Sequence, residues 1–317
     1  MTRANDLAHI GPGYQSSNRN WIINGNFDVA QRNVPGANDG YSLFDRWYQS
    51  SAANNVTFTR QTTTPLTGSR YYLRGTNTTS TAYMAITQAL ETANVTRLAG
   101  QTLTLSWWGR GNASSSTNGN ATSEVFYSTS TDALLSQNTA LASNLTYTFS
   151  ANTWTKFTLT FTVPSTAVGL LIRIGQNNTM AANAVFDISQ VQLELGSVAT
   201  PFENRPIGTE LALCQRYYFN GQIALNGMAD NAGYCYGEYM FPVTMRTAPT
   251  ITSTNTATST YWSGGYGNAT INTVASVALV GNNITVNGFT ATSNKVMANA
   301  NTHGAVGPLT FTANAEL

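Results

Sequence analysis

The residues able to do chemistry in this chain are few. Two histidines, His9 and His303, and two cysteines, Cys214 and Cys235, occur in 317 residues. His9 lies in a Gly/Pro-broken opening stretch and His303 in a turn-like Asn-Thr-His-Gly run. Neither is flanked by a nucleophile elbow, and the two Cys and two His fall at no zinc-ligand spacing. The 14 acids include Asp28, Asp45, Glu91, Glu124, Asp132, Asp187, Glu194, Glu203, Glu210 and Glu238. Glycoside hydrolysis needs two carboxylates about 5–9.5 Å apart across the bond, and a pair formed in space leaves no mark in sequence. Sugar binding asks for less: a flat aromatic face beside planar hydrogen-bonding groups. Trp108, Arg110, Tyr72 and Arg173 all fall by alternation on the polar face of their strands. If those strands are neighbours, the four make an aromatic/Arg patch. The rival reading is that this face packs against a second copy of the chain.

Those side chains need strands to hold them. Thr102–Arg110 is the cleanest: Leu103, Leu105 and Trp107 share one face, and Thr102, Thr104, Ser106, Trp108 and Arg110 the other. Asn55–Arg60, Ser69–Arg74, Glu124–Tyr127, Trp154–Val163, Val168–Ile174 and Phe186–Leu195 alternate similarly. Ala82–Leu90 reads as strand or short helix, Leu98–Gln101 as a turn, and Asp132–Leu145 as irregular. Short strands separated by turn signals, with no βα alternation, mean a sandwich. After the Phe186–Leu195 strand comes a Gly/Pro-punctuated connector, then a helix over Thr209–Tyr218. Thr209 is its candidate cap, Glu210 suits its first turn, and Leu211, Cys214 and Tyr218 fall on one face. Beyond it, Gly237–Val243, Pro249–Ser253, Ala275–Val280, Asn283–Thr290 and Leu309–Ala313 read as antiparallel strands, with a hairpin turn at 281–283.

Composition narrows the partners. Hydrophobic residues make up 42%, enough for a core, while charged residues make up 9% against a usual value of about 25%. The net charge is +1 and no Lys/Arg cluster is present. Neither nucleic acid nor an anionic membrane surface is therefore expected, and no apolar run is long enough to span a bilayer. The opening 20 residues lack the apolar core of a signal peptide. Two cysteines are too few for a disulfide scaffold and read as buried thiols.

The run QLELGSVATPFENRPIGTELALCQRYY resembles the junction of bacteriophage tail-fibre and related virion appendage proteins. There it joins a carbohydrate-binding-module-like jelly roll to a C-terminal β domain. Phe44-Asp-Arg-Trp-Tyr48 and Phe241–Thr250 agree with it. Trp21–Asp28 resembles the opening strand of family 4/9-type modules, and Leu105–Arg110 their central Leu-Ser-x-Trp-x-Arg strand. The resemblance favours a strand at Ala82–Leu90 and implies an all-β chain: a jelly-roll β-sandwich, a short helix, then a second antiparallel β-sandwich. The expected divisions are an arm over 1–20, a possible anchor to other virion proteins; a module-like domain over 21–200; linker and helix over 201–219; and a fibre domain over 220–317. The modules often carry a structural Ca²⁺, whose positions map onto Asp28 and Asp187, with the Asn26 backbone carbonyl able to complete the shell. A single Asp187 stands where many modules have Asp-Asp.

The implied function is that of a non-enzymatic virion structural protein touching host glycans, made in the bacterial cytoplasm. Alternatives are a capsid-attached fibre or decoration protein, and a glycan-cleaving tailspike. Tailspikes of that kind usually use long parallel β-helices, and no such repeat is present. Phage fibres are generally homotrimers, which makes Leu211, Cys214 and Tyr218 the candidate contacts between copies.

Overall fold

The computed structural model describes residues 19–316, apart from 36–38, 52–54, 80–82, 113–120, 133–138, 148–149, 177–180, 229–235, 254–256, 264–269, 278 and 294–302. Residues 1–18 of the expected arm, His9 and Cys235 lie outside these; the arm's last two residues, Arg19 and Asn20, are bonded to the sandwich. The chain divides into two compact units, Met1–Glu210 and Leu211–Glu316. The boundary falls inside the expected linker-and-helix stretch.

The first unit is built from ten strands: β1 (Tyr48–Ser51), β2 (Val56–Gln61), β3 (Tyr72–Asn77), β4 (Met84–Leu90), β5 (Thr102–Gly111), β6 (Ala121–Ser128), β7 (Thr139–Tyr147), β8 (Thr155–Thr162), β9 (Gly169–Gln176) and β10 (Val185–Leu195). One helical turn, α1 (Thr92–Val95), follows β4. The strands form two five-stranded sheets, ordered β2-β3-β10-β5-β8 and β1-β4-β9-β6-β7. All described pairings are antiparallel. Within these, β3-β10-β5-β8 and β4-β9-β6-β7 give the strand order of a jelly roll, with β1 and β2 added at the edges.

Alternation explains the core. Leu103, Leu105 and Trp107 of β5 are fully buried, as are Phe58, Leu73, Ile172, Phe186 and Ile188. Trp107 packs on Phe157 with ring centroids 4.6 Å apart and donates its indole N–H to Ser123 Oγ at 2.7 Å. Trp47 donates to the Asn24 carbonyl at 2.9 Å. Both buried indoles are thus satisfied, as burial of a polar N–H requires.

Four details differ from expectation. Trp21–Asp28 is not a strand: Asn24 and Phe27 both have φ near 59°, which turns the segment back on itself. The Asn24 side chain bonds Val29 and Asp45 to hold that turn. Asp132–Leu145, read as irregular, contributes β7, an edge strand paired to β6. Ser69–Arg74 starts pairing only at Tyr72. Finally, the helix, α2 (Ile207–Gln215), begins after Pro206 and stops three residues before Tyr218. Thr209 is therefore inside it and caps nothing.

The second unit carries β11 (Tyr218–Met228), β12 (Tyr236–Met240), β13 (Thr250–Ser253), β14 (Ala257–Ser263), β15 (Thr270–Val277), β16 (Leu279–Asn282), β17 (Gly288–Ser293) and β18 (His303–Asn314). One sheet has the order β11-β18-β14-β15 with β13 also on β18, and a second the order β12-β17-β16. Asn283–Thr290 is not a strand throughout: 283–287 is the loop between β16 and β17. Its core gathers Phe219, Phe241, Phe289 and Phe311 with the partly buried Tyr239. The unit is antiparallel β, as expected.

Candidate functional site

The outer face of the β2-β3-β10-β5-β8 sheet carries the site. Register places Arg74 opposite Asp187, and Asp187 opposite Arg110. These three therefore form one row across β3, β10 and β5, on the face away from the core. Arg74 donates from Nε to Asp187 Oδ1 at 2.7 Å and from Nη2 to Oδ2 at 2.9 Å. Arg110 donates from Nε at 3.0 Å and Nη2 at 2.8 Å, both to Oδ2. Two guanidinium groups thus share one carboxylate, each by two charge-assisted bonds. The hydrogen bond to Asp187 raises the Arg74 pKa further above its ordinary value, against the opposing effect of burial.

Aromatic rings frame the row. The Arg110 guanidinium lies 4.5 Å from the Trp154 ring and 5.1 Å from the Tyr72 ring. Tyr72 and Trp154 meet edge to face at 5.5 Å. Tyr72 donates its hydroxyl to the Thr63 carbonyl, and Arg110 Nη1 reaches the Thr64 carbonyl at 3.1 Å. A cleft of about 480 Å³ opens over the row, lined also by Gly111, Asn112 and Asn152. That size is ordinary for a small-molecule site.

The other end of the same face is covered. The connector after β10 folds over it: the Gly196 carbonyl accepts from Thr104 Oγ1 at 2.7 Å, and the Thr200 carbonyl from Lys156 Nζ at 3.2 Å. Glu194 accepts from the Thr200 amide and hydroxyl. Gln192 accepts from the Glu203 amide. Thr104 and Ser106 are buried although they face away from the core. Alternation correctly gives their face, but chain outside the sheet covers it.

Of the residues expected to bind sugar, Tyr72, Trp108 and Arg110 share this face, but only Arg110 lines the cleft, and Tyr72 is buried beneath it. Trp108 is half-buried and pairs in register with Ser189 and Lys156. Arg173 is elsewhere. It belongs to β9 in the other sheet, where it makes a two-bond pair with Glu124, both at 2.7 Å. Strand alternation assigns a face but not a sheet, and β9 sits between β4 and β6. Arg74, Asp187 and Trp154 complete the site and were not read as sugar ligands. The signal for Arg74 is its period-2 relation to Tyr72.

The positions suggested for calcium do not fit an ion. Asp187 gives both oxygens to the two arginines. Asn26 Oδ1 accepts from Ser69 at 2.6 Å and Ser189 at 3.5 Å. Asp28 bonds to Asn26, and burial raises its pKa, with the Asn26 bond and the Arg60 charge opposing and Glu210 adding to the rise. No group of three His, Cys, Asp or Glu placed to hold a metal occurs among the described residues. The acids Asp28, Glu203 and Glu210 line a second recess with room for only about 10 Å³. Glu203 accepts the amides of Arg19 and Asn20, and Glu210 that of Asn24. Arg205 pairs with Glu210 and donates to the carbonyls of Ile22 and Asn20. This cluster ties the connector to Arg19–Asn24.

Of the residues expected between copies, Cys214 is fully buried within the chain. Tyr218 is the first residue of β11 and is buried, and Leu211 is half-buried. No helix of the described residues is long and apolar enough to cross a membrane.

No protein-family model matches the chain, and no curated protein matches it. Among solved structures, it is similar to the enzymatically active domain of tailspike protein 4 of bacteriophage CBA120, at 17% identity and a TM-score of 0.38. That match covers 56% of this chain but only 21% of the other, about a fifth of its length. It is also similar to TmCBM61, solved in complex with beta-1,4-galactotriose: 11% identity, TM-score 0.36, 56% of this chain and 99% of that one. A structure titled "CBM4 structure and function" matches at 17% identity and a TM-score of 0.34, over 55% of this chain and 99% of its own. None of these three reaches a TM-score of 0.5, so the reading of the site rests on its own geometry.

Proposed function

We propose that this chain is a non-enzymatic glycan-binding protein of a phage virion appendage, with the Arg74–Asp187–Arg110 cleft as its sugar site. The observation that carries the reading is that row of charges, open to a cleft of about 480 Å³, with the Arg110 guanidinium braced from behind by Trp154 and the buried Tyr72 ring. Planar guanidinium groups suit polyhydroxylated ligands, which they meet with paired hydrogen bonds. Asp187 is the one acid among the described residues lining the cleft, and its oxygens are committed to arginines. Hydrolysis by a carboxylate pair needs a second acid and a free first one. The virion assignment rests on the junction sequence between β10 and β11. In this reading the 1–20 arm anchors the chain to other virion proteins and three copies act together.

A glycan array probed with wild type and Arg110→Met tests the site. Wild type is expected to bind, and the variant to lose that binding while keeping the wild-type circular dichroism. Equal binding by both would place the sugar elsewhere. Absence of any bound glycan would leave this face as a contact between proteins.

A further inference from the structure

Among the described residues lining the cleft, the carboxylate and two of the backbone carbonyls are already taken within the protein, which leaves the Asn152 side chain as the main free acceptor. Asp187 receives four guanidinium N–H bonds, and a carboxylate has about four lone-pair sites. Its accepting capacity is therefore used within the protein. The Thr64 carbonyl is taken by Arg110, and the Gly111 carbonyl by the Asn152 amide. On the donor side, Arg74 uses Nε and Nη2, while its Nη1 has no protein acceptor among the described residues. Its side chain is 30% exposed and lines the cleft, so those N–H groups are available to a ligand.

Charge points the same way. Among the described residues, the charged ones lining the cleft are Arg74, Arg110 and Asp187, two positive and one negative, which leaves one positive charge uncompensated. A neutral sugar hydroxyl both donates and accepts, and here its donor would find few free acceptors. A carboxylate or sulfate only accepts, and a guanidinium edge matches it with two parallel bonds.

We propose that the glycan bound in this cleft is acidic, its uronate or sulfate group held by the outward edge of the Arg74 guanidinium. This rests on the sugar-site reading above and names the class of sugar. Arg110, with its side chain 11% exposed and braced by Thr64 and Trp154, positions Asp187 and supplies the second positive charge. Asp187 holds both arginines in place and does not itself meet the ligand.

The test uses the full-length chain on an array of matched pairs: oligogalacturonate and its methyl ester, sialyllactose and lactose, and sulfated and desulfated oligosaccharides. Wild type is expected to bind at least one acidic member about tenfold or more above its neutral partner, the scale of one charged hydrogen-bonded contact. That binding should weaken as salt rises, since the cleft is open to solvent. Arg74→Gln should erase the preference. Arg74→Lys keeps the charge without the planar edge and should retain a reduced preference, which guards against a fold defect in the first variant. Binding of neutral members as well as acidic ones would overturn the charge assignment and leave the sugar site standing. Binding of no sugar would overturn both. A preference that survives in Arg74→Gln would remove Arg74 from the contact.

Discussion

At the scale of single residues, Asp187 matters most to the first unit. It is 1% exposed and neutralises part of two guanidinium charges. Removing one member of a buried ion pair costs about 3–5 kcal/mol because its partner stays buried and uncompensated. Arg74 can turn partly to water, so Asp187→Ala is expected to cost about 3 kcal/mol, the low end of that range. A lower denaturant midpoint at unchanged slope would show it; an unmoved midpoint would mean that both arginines relax freely. Asp28 behaves oppositely. Burial raises its folded-state pKa, so the folded state holds the proton more tightly than the unfolded chain. Stability from this group is present below the unfolded value of about 3.9 and is lost as pH rises through the folded value. Asp28→Asn should therefore melt at least as high as wild type at pH 7, and the difference should shrink toward pH 3. A variant less stable than wild type at pH 7 would show that the Arg60 and Asn26 contacts outweigh desolvation. Much of the site was legible here. Alternation set Tyr72, Trp108 and Arg110 on one face, because period 2 is a property of one strand. It could not show that Arg173 belongs to the other sheet, since strand order is set by long-range pairing. Asp187 was read through the resemblance as a calcium position, not as an arginine partner, because Arg74 and Arg110 lie 113 and 77 residues away in sequence.

At the scale of elements, strands with strict alternation were readable and their neighbours were not. β5, β8 and β10 sit within a residue or two of their expected positions. β7 was missed because Thr139–Tyr147 is an edge strand rich in small and polar residues. The Trp21–Asp28 segment mimics a strand in composition, yet the turn at Asn24 and Phe27 comes from contacts with Val29, Asp45 and Trp47 that no local pattern reveals. The connector is the least legible part. Its Gly and Pro residues mark it as irregular, but not as a strap over half of a sheet face. Arg205 is what fastens it, with its side chain 5% exposed and bonded to Glu210 and to the Ile22 and Asn20 carbonyls. Arg205→Met should leave Glu210 without its cation and free the connector. The expected result is faster limited proteolysis within 196–206, with the far end of the sheet unaffected in its sugar binding. Unchanged cleavage would show that Glu194 and Glu203 hold the strap without it.

At the scale of the whole molecule, two compact units divide the work. The first has a deep aromatic and aliphatic core beneath the site. Among the described side chains of the second, Phe219, Phe289 and Phe311 gather into one cluster. Association of three copies belongs to the proposed function and is tested by mass in solution. The apolar face of α2 does not serve that purpose in the way its sequence suggests. Cys214 is fully buried inside its own chain, and Tyr218 has left the helix for β11. Trimer formation is therefore expected to survive Cys214→Ser, while that variant should melt lower because a hydroxyl replaces a buried thiol. Light scattering at micromolar concentration should give about three times the 34.0 kDa chain mass for both proteins. A clean monomer would end the trimer proposal, and a variant that dissociates without melting lower would return Cys214 to an interface. Assembly also bears on binding. On the proposed reading, a single cleft gripping an acidic group through Arg74 would hold a sugar weakly, and three copies in a trimer would raise avidity through effective concentration. Dense acidic polysaccharide should then bind the assembled protein far more tightly than a single oligosaccharide does. Equal affinities for the two would show that the copies do not engage together.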